Sequence, residues 1–314
     1  MQICKEFLRI ECLFFGFNSF NLPRFSFIVD MEILESSAEL GERIAVLKKA
    51  GKVIGFVPTM GALHQGHLSL AIEAGKQADV VVVSVFVNPN QFNNSADLER
   101  YPRDIQKDAD MLSATPCELL FVPTVKEVYP EPDTRVFDFG TIDKVMEGFY
   151  RPGHFNGVAQ VVSRLFDLVK PDKAFFGEKD FQQLAVVRAM VQQLNCPVEI
   201  VSCPIIREED GLAMSSRNQL LSDAQRKNAP VIARTLMESC NFAKSRNVED
   251  TVTFVTESIN ATPELEVEYF EIVDGHTLQA VNSWEESAYL VGCIAVFAGE
   301  IRLIDNVIYK KGLS

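Results

Sequence analysis

The sequence predicts an α/β protein: a doubly wound, Rossmann-like parallel sheet followed by a second, smaller α+β domain. Strand-like and helix-like stretches alternate between residues 31 and 205, which is typical of a parallel sheet covered by helices. The run Val80 to Val87 is almost entirely β-branched, as expected for a central strand buried on both faces. Beyond residue 206 the alternation stops, and long helical stretches precede three strand-like ones.

The first domain, residues 31–205, is predicted to contain short apolar strands separated by amphipathic helices. The strands are expected at 52–57, 80–87, 119–122, 174–176 and 198–202. The helices, identified by apolar residues at helical spacing, are expected at 37–50, 67–77, 104–113, 157–170 and 181–195. Gly51 and Pro171 mark two helix ends. In such a sheet, ligands bind beyond the carboxyl ends of the strands.

The second domain, residues 206–314, is predicted to be a lid of mixed structure. Its helices are expected at 223–244 and 250–260, and its strands at 266–272, 288–297 and 302–305. Residues 1–30 differ from the rest because they are rich in phenylalanine. They are interpreted as a start-site artefact or a disordered extension, with a targeting segment or an ordered cap as the alternative.

Composition and charge restrict the classes of partner. The chain has 314 residues and a formal net charge of −13, and it contains no Lys/Arg cluster of the kind that binds nucleic acid. No run approaches the ~18 apolar residues of a membrane-spanning helix, so no membrane partner is expected. The seven cysteines are widely spaced without a C-x-x-C pair, which favours a reducing cytoplasm over disulfides or a zinc site.

The most informative segment runs from Pro58 to His67 and joins the first predicted strand to a helix. Free N–H groups and a partial positive charge make a helix start a natural phosphate site. Gly61 and Gly66 allow a ligand to approach the backbone closely, and two histidines three residues apart can donate to one anion. The Gly-x-x-x-x-Gly spacing is similar to a Walker loop, but the Lys-Ser/Thr pair is missing. The His-x-Gly-His pattern at such a turn instead resembles the nucleotidyltransferase superfamily.

Two further segments carry groups suited to a nucleotide. After the apolar Phe175-Phe176, Lys179 offers a compact positive charge for a phosphate, and Asp180 can accept from ribose hydroxyls. The segment 211–218 places two hydroxyls beside the Arg217 guanidinium, which suits a phosphate clamp. A solvated loop would explain either segment alone. The clamp segment resembles the Lys-Met-Ser-Lys-Ser loop that accompanies the His-x-Gly-His motif in one class of aminoacyl-tRNA synthetases.

Amide side chains indicate a pocket for a hydroxylated acid. Asn88 and Gln91 follow the β-branched strand, and Gln183 follows the Lys179 turn; amides bind hydroxyls and carboxylates and reject analogues that lack them. Arg151 and His154, just before a helix, offer another anion contact, although a capped loop is an equal explanation. Taken singly, either glutamine is compatible with a simple surface position.

These motifs, in this order, resemble the pantothenate synthetase (pantoate–β-alanine ligase) family from Met31 to Ser314. The matching segments are 58–67, 87–92, 151–158, 175–183 and 210–218. Two departures are minor: Asn90 stands where members often carry Met, and Ile206 where they often carry Val. Residues 1–30 have no matching counterpart.

The resemblance implies a site and a reaction. The implied ATP site comprises Met60, Gly61, His64, Gly66, His67, Gly177, Glu178, Lys179, Asp180, Ile206, Met214, Ser215, Ser216 and Arg217. The implied pocket for pantoate and β-alanine comprises Gln91, Gln183, Pro58, Met60, Asn88, Arg151 and His154. The implied catalytic residues are His67, His64, Lys179 and Arg217. The resemblance also implies a cytoplasmic homodimer that depends on Mg²⁺. The residues that would bind the metal directly are not assigned.

The implied reaction joins pantoate to β-alanine through a pantoyl adenylate, releasing pyrophosphate and then AMP. Two other functions remain open from the residues: a nucleotidyltransferase acting on a phosphorylated alcohol, and a non-catalytic nucleotide-binding module. The first should need an extra basic site, and the second should release no pyrophosphate. A dehydrogenase is disfavoured because no Gly-x-Gly-x-x-Gly follows a strand. The base for the amine step is not assigned.

Overall fold

The computed structural model describes residues 31–92, 98–99 and 101–312, so the prediction for residues 1–30 lies outside it. Six strands form one sheet in the order β1-β4-β3-β2-β5-β6, and every neighbouring pair is parallel. They are β1 (Glu32–Leu34), β2 (Ile54–Thr59), β3 (Val80–Val85), β4 (Cys117–Phe121), β5 (Lys173–Gly177) and β6 (Glu199–Cys203). The doubly wound parallel sheet is therefore confirmed.

Helices cover both faces of this sheet. The helices between residues 37 and 193 include α1 (Ser37–Lys49), α2 (Gln65–Gln77), α3 (Ile105–Leu112), α4 (Val125–Val128), α5 (Met146–Tyr150), α6 (His154–Val169) and α7 (Phe181–Gln193). Met146 of α5 packs away from this sheet, in a core with Tyr269 and Val273. Helices α1, α6 and α7 pack on the face that buries Phe56 and Phe176. Helices α2 and α3 pack on the opposite face, against Val57 and Phe175. Neighbouring residues of one strand thus enter different cores, as the strand period of two requires.

The strand order places a switch point beside β2. The chain proceeds from β2 to β3 and β4 on one side and then crosses to β5 and β6 on the other. Parallel sheets bind ligands where the order reverses, beyond the carboxyl ends of the strands. The turns after Thr59 and Gly177 therefore open onto the same crevice.

A second sheet follows, with three antiparallel strands: β7 (Leu265–Asp274), β8 (Tyr289–Ala298) and β9 (Ile301–Lys311). Helices α8 (Asp223–Asn228), α9 (Pro230–Phe242) and α10 (Val248–Asn260) precede it. Leu236 of α9 and Ile259 of α10 share a core with Phe270 and Ile294 of the sheet. The smaller α+β unit is confirmed, whereas its boundary at residue 206 stays a prediction.

The structure corrects several element bounds. The stretch 223–244 is not one helix, because Pro230 has no N–H to continue the ladder and instead starts α9 at its first position. Strand β9 runs well beyond the predicted 302–305. The short elements β1, α4 and α5 carry too few residues to show a period. Within the described residues, no helix is long and apolar enough to cross a membrane.

Candidate active site

A cavity of about 210 Å³ lies at the switch point, between the first sheet and the loop that leads to α8. Most of the predicted site residues line it: Pro58, Met60, His64, Gly66, His67, Gln91, Gly177, Lys179, Asp180, Gln183, Ile206, Met214, Ser215, Ser216 and Arg217. The apolar remainder of the wall comes mainly from β5 and α6, including Val158 and Val162. Three turns that are distant in the chain thus meet at one cavity.

The start of α2 supplies the first polar wall. His64 is its N-cap, and the Nδ1 atom of His64 accepts from the Gly66 N–H at 3.1 Å. The Nδ1 atom of His67 accepts from the His64 N–H at 3.4 Å, and the two rings lie 4.1 Å apart. Because both Nδ1 atoms accept, each neutral ring carries its proton on Nε2. The pair therefore presents two N–H donors at a helix start.

Both rings are held neutral by their surroundings. Burial lowers the pKa of His64 to about 4, and nearby Lys179 lowers it further than Asp180 raises it. Burial also lowers the pKa of His67 well below its ordinary value, with His64 and Lys179 acting in the same direction. Lys179 already brings one positive charge to the site. Two protonated histidines would add two more buried charges and their desolvation cost, whereas neutral imidazoles can still donate hydrogen bonds to an anion.

The turn before α2 is fixed by a buried carboxylate from α3. Asp108 is 1% exposed, and its two oxygens accept from the Ala62 N–H at 3.0 Å and the Leu63 N–H at 2.8 Å. Gly61 adopts a φ of +80°, and a Cβ there would lie 2.9 Å from the Asp108 carboxylate. Gly61 itself does not line the cavity. Its place in the site is the turn that aims His64.

The Lys179 turn is anchored from the second sheet. Residues Glu178–Asp180 form a 3-10 helix after β5. The side-chain amide of Asn306, on β9, donates to the Glu178 carbonyl at 2.8 Å and the Lys179 carbonyl at 3.1 Å. Lys179 and Asp180 belong to the cavity lining, whereas Glu178 does not. The C-terminal sheet thus sets the position of the lysine.

The clamp segment also depends on β9. Arg207 forms a two-pronged ion pair with the buried Asp305, at 2.6 and 3.0 Å, and donates to the Gly211 carbonyl at 3.1 Å. A backbone bond from Met214 to Ile206 closes the loop at 3.0 Å. This loop delivers Ser215, whose hydroxyl accepts from the Arg217 N–H at 3.3 Å.

Three of the predicted substrate residues lie behind the cavity wall. Asn88 is fully buried, and its amide contacts Gln91 and the backbone of α6. The His154 Nδ1 lies 2.8 Å from the Gln91 carbonyl oxygen. Arg151 and His154 line a smaller neighbouring cavity of about 40 Å³, which shares Lys179, Asp180 and Gln183 with the main one. Glu147 lies 3.5 Å from the Arg151 guanidinium.

Burial lowers the pKa of both Arg151 and His154 in the smaller cavity. It lowers the pKa of His154 to about 4, with help from the positive charge of Arg151. It also lowers the pKa of Arg151, opposed by Glu147. Arg151 remains a cation, because a guanidinium keeps its proton in proteins. The smaller cavity is therefore lined by Lys179 and by a guanidinium that is paired with Glu147.

The sequence reasoning overlooked the residues that hold the site from outside. Asp108 could have been found, because it is an acid beside Ala109 and Leu112 on the buried face of its helix. The consecutive polar pair Asp305-Asn306 inside an apolar strand is a similar signal. Tyr101 also lines the cavity, with its hydroxyl 3.4 Å from the Ser216 hydroxyl.

A parallel α/β sheet with a His-x-Gly-His helix start and a basic clamp at its carboxyl edge defines a nucleotidyltransferase-type enzyme. The family model described as pantoate-beta-alanine ligase matches residues 32–308. Pantothenate synthetase from Porphyromonas gingivalis is 57% identical over 280 residues, covering 89% of this chain and all of that protein. The Bacteroides fragilis enzyme is 54% identical over 281 residues, covering 90% of this chain and all of its own.

Solved structures agree with this match. Pantothenate synthetase from Thermus thermophilus superposes with a TM-score of 0.83 at 46% identity, covering 89% of this chain and all of that one. Pantoate-beta-alanine ligase from Francisella tularensis, complexed with beta-gamma ATP and beta-alanine, gives a TM-score of 0.76 at 34% identity, covering 90% of this chain and all of that one. The chain belongs to the pantoate–β-alanine ligase family, and the family resemblance of its motifs is confirmed.

Proposed function

We propose that this family member condenses pantoate with β-alanine in two steps at the main cavity. Pantoate first attacks the α-phosphorus of ATP, giving pantoyl adenylate and pyrophosphate, and β-alanine then displaces AMP. The observation that carries the proposal is that His67, Lys179 and Arg217, from three separate segments, line one cavity. Imidazole, ammonium and guanidinium groups at a helix start form a site for a polyphosphate.

ATP would lie across the three turns. The positive end of the α2 dipole and the Nε2–H groups of His64 and His67 would face the phosphates, and Lys179 would add a compact positive charge. Asp180 would accept from the ribose hydroxyls, and Ser215 to Arg217, which line the same cavity from the clamp loop, would contact the phosphates. The Francisella relative was crystallised in complex with beta-gamma ATP and beta-alanine, which supports the assignment.

Pantoate would occupy the end of the cavity beside α6. Gln91 and Gln183 offer amides for its hydroxyl and carboxylate oxygens, and Val158 and Val162 offer an apolar wall for its alkyl part. Asn88 and His154 act on this pocket through Gln91, which both contact. Arg151, which lines the adjoining smaller cavity together with Lys179, would supply positive charge for the carboxylate of the incoming β-alanine.

The first step needs no general base, because a carboxylate with an ordinary pKa near ~4 is already ionised at neutral pH. The protein's task is to align the carboxylate with the α-phosphorus and to stabilise charge that builds on the phosphate oxygens. Neutral His67 does this through its Nε2–H, since Nδ1 is occupied by the backbone of His64. The apolar wall excludes water, which would otherwise hydrolyse the adenylate.

Magnesium would enter with the nucleotide. No group of three or more His, Cys, Asp or Glu forms a metal cage in the described residues. Such a cage is not required, because Mg²⁺ in nucleotide sites keeps several waters and is held by phosphates with one or two carboxylates. Asp180, the one carboxylate among the described lining residues, is assigned above to the ribose, so phosphate oxygens and water would hold the ion. When bound, the ion would offset phosphate charge.

The test follows AMP formation in the presence of ATP, Mg²⁺, pantoate and β-alanine. AMP is expected only when both organic substrates are present, and pyrophosphate is expected in a single turnover with pantoate alone. ADP formation would instead indicate phosphoryl transfer to a substrate. Nucleotide binding without pyrophosphate release would indicate a non-catalytic module.

Assembly and location are part of the proposal. A homodimer is the assembly that the family resemblance of the sequence implies. Light scattering during gel filtration tests it, and a monomer at micromolar concentration would contradict it. A cytoplasmic location is supported by the cysteines: the five within the described residues are all unpaired, as expected in a reducing compartment.

A further inference from the structure

The Gln91 side chain reaches the main cavity from the 3-10 helix Pro89–Gln91. An amide has a donor end and an acceptor end, so its orientation decides which substrate atom it can contact. The Gln91 oxygen Oε1 lies 3.1 Å from the Asn88 Nδ2, and the Gln91 Nε2 lies 3.0 Å from the Met60 sulfur. The donor end therefore faces the cavity side, provided that Asn88 is itself fixed.

Two backbone groups fix the orientation of Asn88. The Asn90 N–H lies 3.3 Å from one side-chain atom, and because a backbone N–H only donates, that atom is the oxygen Oδ1. The Gly157 carbonyl lies 3.2 Å from the other atom, and because a carbonyl only accepts, that atom is the nitrogen Nδ2. Asn88 is 0% exposed. Reversing its amide would place like groups together in a buried site, which is costly.

A third group, outside the cavity lining, completes the arrangement. The hydroxyl of Tyr129, which directly follows α4, donates to the Asn88 Oδ1 at 3.1 Å. Burial raises the pKa of Tyr129, so the phenol keeps its proton. One Asn88 Nδ2 hydrogen is used by the Gly157 carbonyl, and the other is left for the Gln91 Oε1.

Gly157 allows the 3-10 helix Pro89–Gln91 to pack closely against α6. It lies on α6, and a Cβ there would sit 2.9 Å from the Gln91 Cα and would overlap the Asn90 carbonyl. A side chain at this position would therefore push the 3-10 helix away from α6. The relay from Tyr129 through Asn88 to Gln91 thus depends on a close backbone contact that only glycine permits.

We infer that Tyr129 is a positioning residue: with Asn88 it holds Gln91 so that the amide donor faces the substrate. Gln91 then recognises an oxygen acceptor, such as the hydroxyl or carboxylate oxygen of a hydroxy acid. This inference rests on the proposed function, because it assigns Gln91 to the acid rather than to ATP. If the inference holds, the KM for pantoate depends on the Tyr129 hydroxyl, which lies outside the cavity lining.

The test is Tyr129→Phe, assayed by pyrophosphate release with pantoate and ATP varied in turn. Losing one of the three hydrogen bonds that hold the Asn88 amide loosens Asn88 and, through it, Gln91. The KM for pantoate is therefore expected to rise about three- to tenfold. The KM for ATP and the thermal midpoint are expected to stay near the wild-type values. A merely structural role would change both KM values together or lower the midpoint.

The matched control is Tyr309→Phe. The Tyr309 hydroxyl is also hydrogen-bonded, to the Ser239 hydroxyl at 2.6 Å, but it lies on β9 in the other core. Its removal is expected to leave both KM values unchanged. An equal rise in the KM for pantoate in this control would overturn the inference.

A second variant tests the relay one step closer to Gln91. In Asn88→Asp the nitrogen becomes an acceptor, so Gln91 should turn its amide and present oxygen to the substrate. The KM for pantoate should then rise more than in Tyr129→Phe. Wild-type KM values in either folded variant overturn the relay but leave the ligase activity intact. A wild-type protein that neither releases pyrophosphate nor binds pantoate calorimetrically would overturn the function and the relay together.

Discussion

Replacing Asp108 by asparagine is expected to damage the active site more than the fold. The carboxylate accepts from the Ala62 and Leu63 N–H groups and thereby holds the turn that delivers His64. Asparagine has the same shape but only one acceptor atom, so its NH₂ must face one of the two N–H groups. A buried backbone donor is then left without a partner.

The expected loss in the free energy of unfolding is the difference between the hydrogen bonds that are weakened and the cost of burying a charge that is removed. Each bond from a backbone N–H to a carboxylate contributes about 1.5–3 kcal/mol, and the remaining neutral bond contributes about 1 kcal/mol. The loss is partly offset, because burial raises the pKa of Asp108, which means that burying its charge is itself costly. The net decrease in the free energy of unfolding should be about 1–3 kcal/mol. Adenylation is more sensitive, since a misplacement of about 1 Å costs about 100-fold.

The assay combines urea unfolding with initial rates of pyrophosphate release. For Asp108→Asn, kcat/KM is expected to fall about 10- to 100-fold while the protein remains folded. The control is Asp110→Asn on the same helix, where an exposed carboxylate accepts from Gln106 at 2.8 Å; its unfolding free energy should change by less than about 0.5 kcal/mol. Wild-type kcat/KM in Asp108→Asn, or an equal loss in the control, would refute the reasoning.

Three further predictions concern the histidines and the packing of α6. His67→Ala should fold normally but lose about 3–4 kcal/mol of transition-state stabilisation in adenylation; near-wild-type pyrophosphate release would exclude its role. Gly157→Ala should lower the thermal midpoint and raise the KM for pantoate, because its Cβ meets the Asn90 carbonyl, whereas Gly41→Ala, in open space on α1, should be neutral or slightly stabilising. The His64 ring should titrate near pH 4 by NMR, below its ordinary value of 6.5. Between about pH 4 and 6.5 the His64 imidazole is protonated in the unfolded chain but neutral in the folded protein. Its contribution to the free energy of unfolding should therefore rise with pH across this range. A midpoint near 6.5 for His64 would contradict this.

Short-range patterns in the sequence were sufficient to predict the fold class, the family and most of the cavity lining. These features are local: the β-branched run of β3, the amphipathic period of α6 and the glycine-histidine turn before α2 each occupy a few consecutive residues. A period needs length to be visible, which is why the three-residue β1 and the four-residue α4 were missed. Pro230 was the readable signal that divided the stretch 223–244, and it was overlooked.

The groups that hold the site in place became visible only in the folded chain. Asp108 lies 46 residues from the backbone it braces at Ala62, and Tyr129 lies 41 residues from Asn88. Asn306 reaches the Lys179 carbonyl across 127 residues of chain. No local pattern encodes such pairs, because they follow from strand order and helix packing. The orientation of a buried amide depends further on which backbone donors and acceptors that packing brings within hydrogen-bond distance.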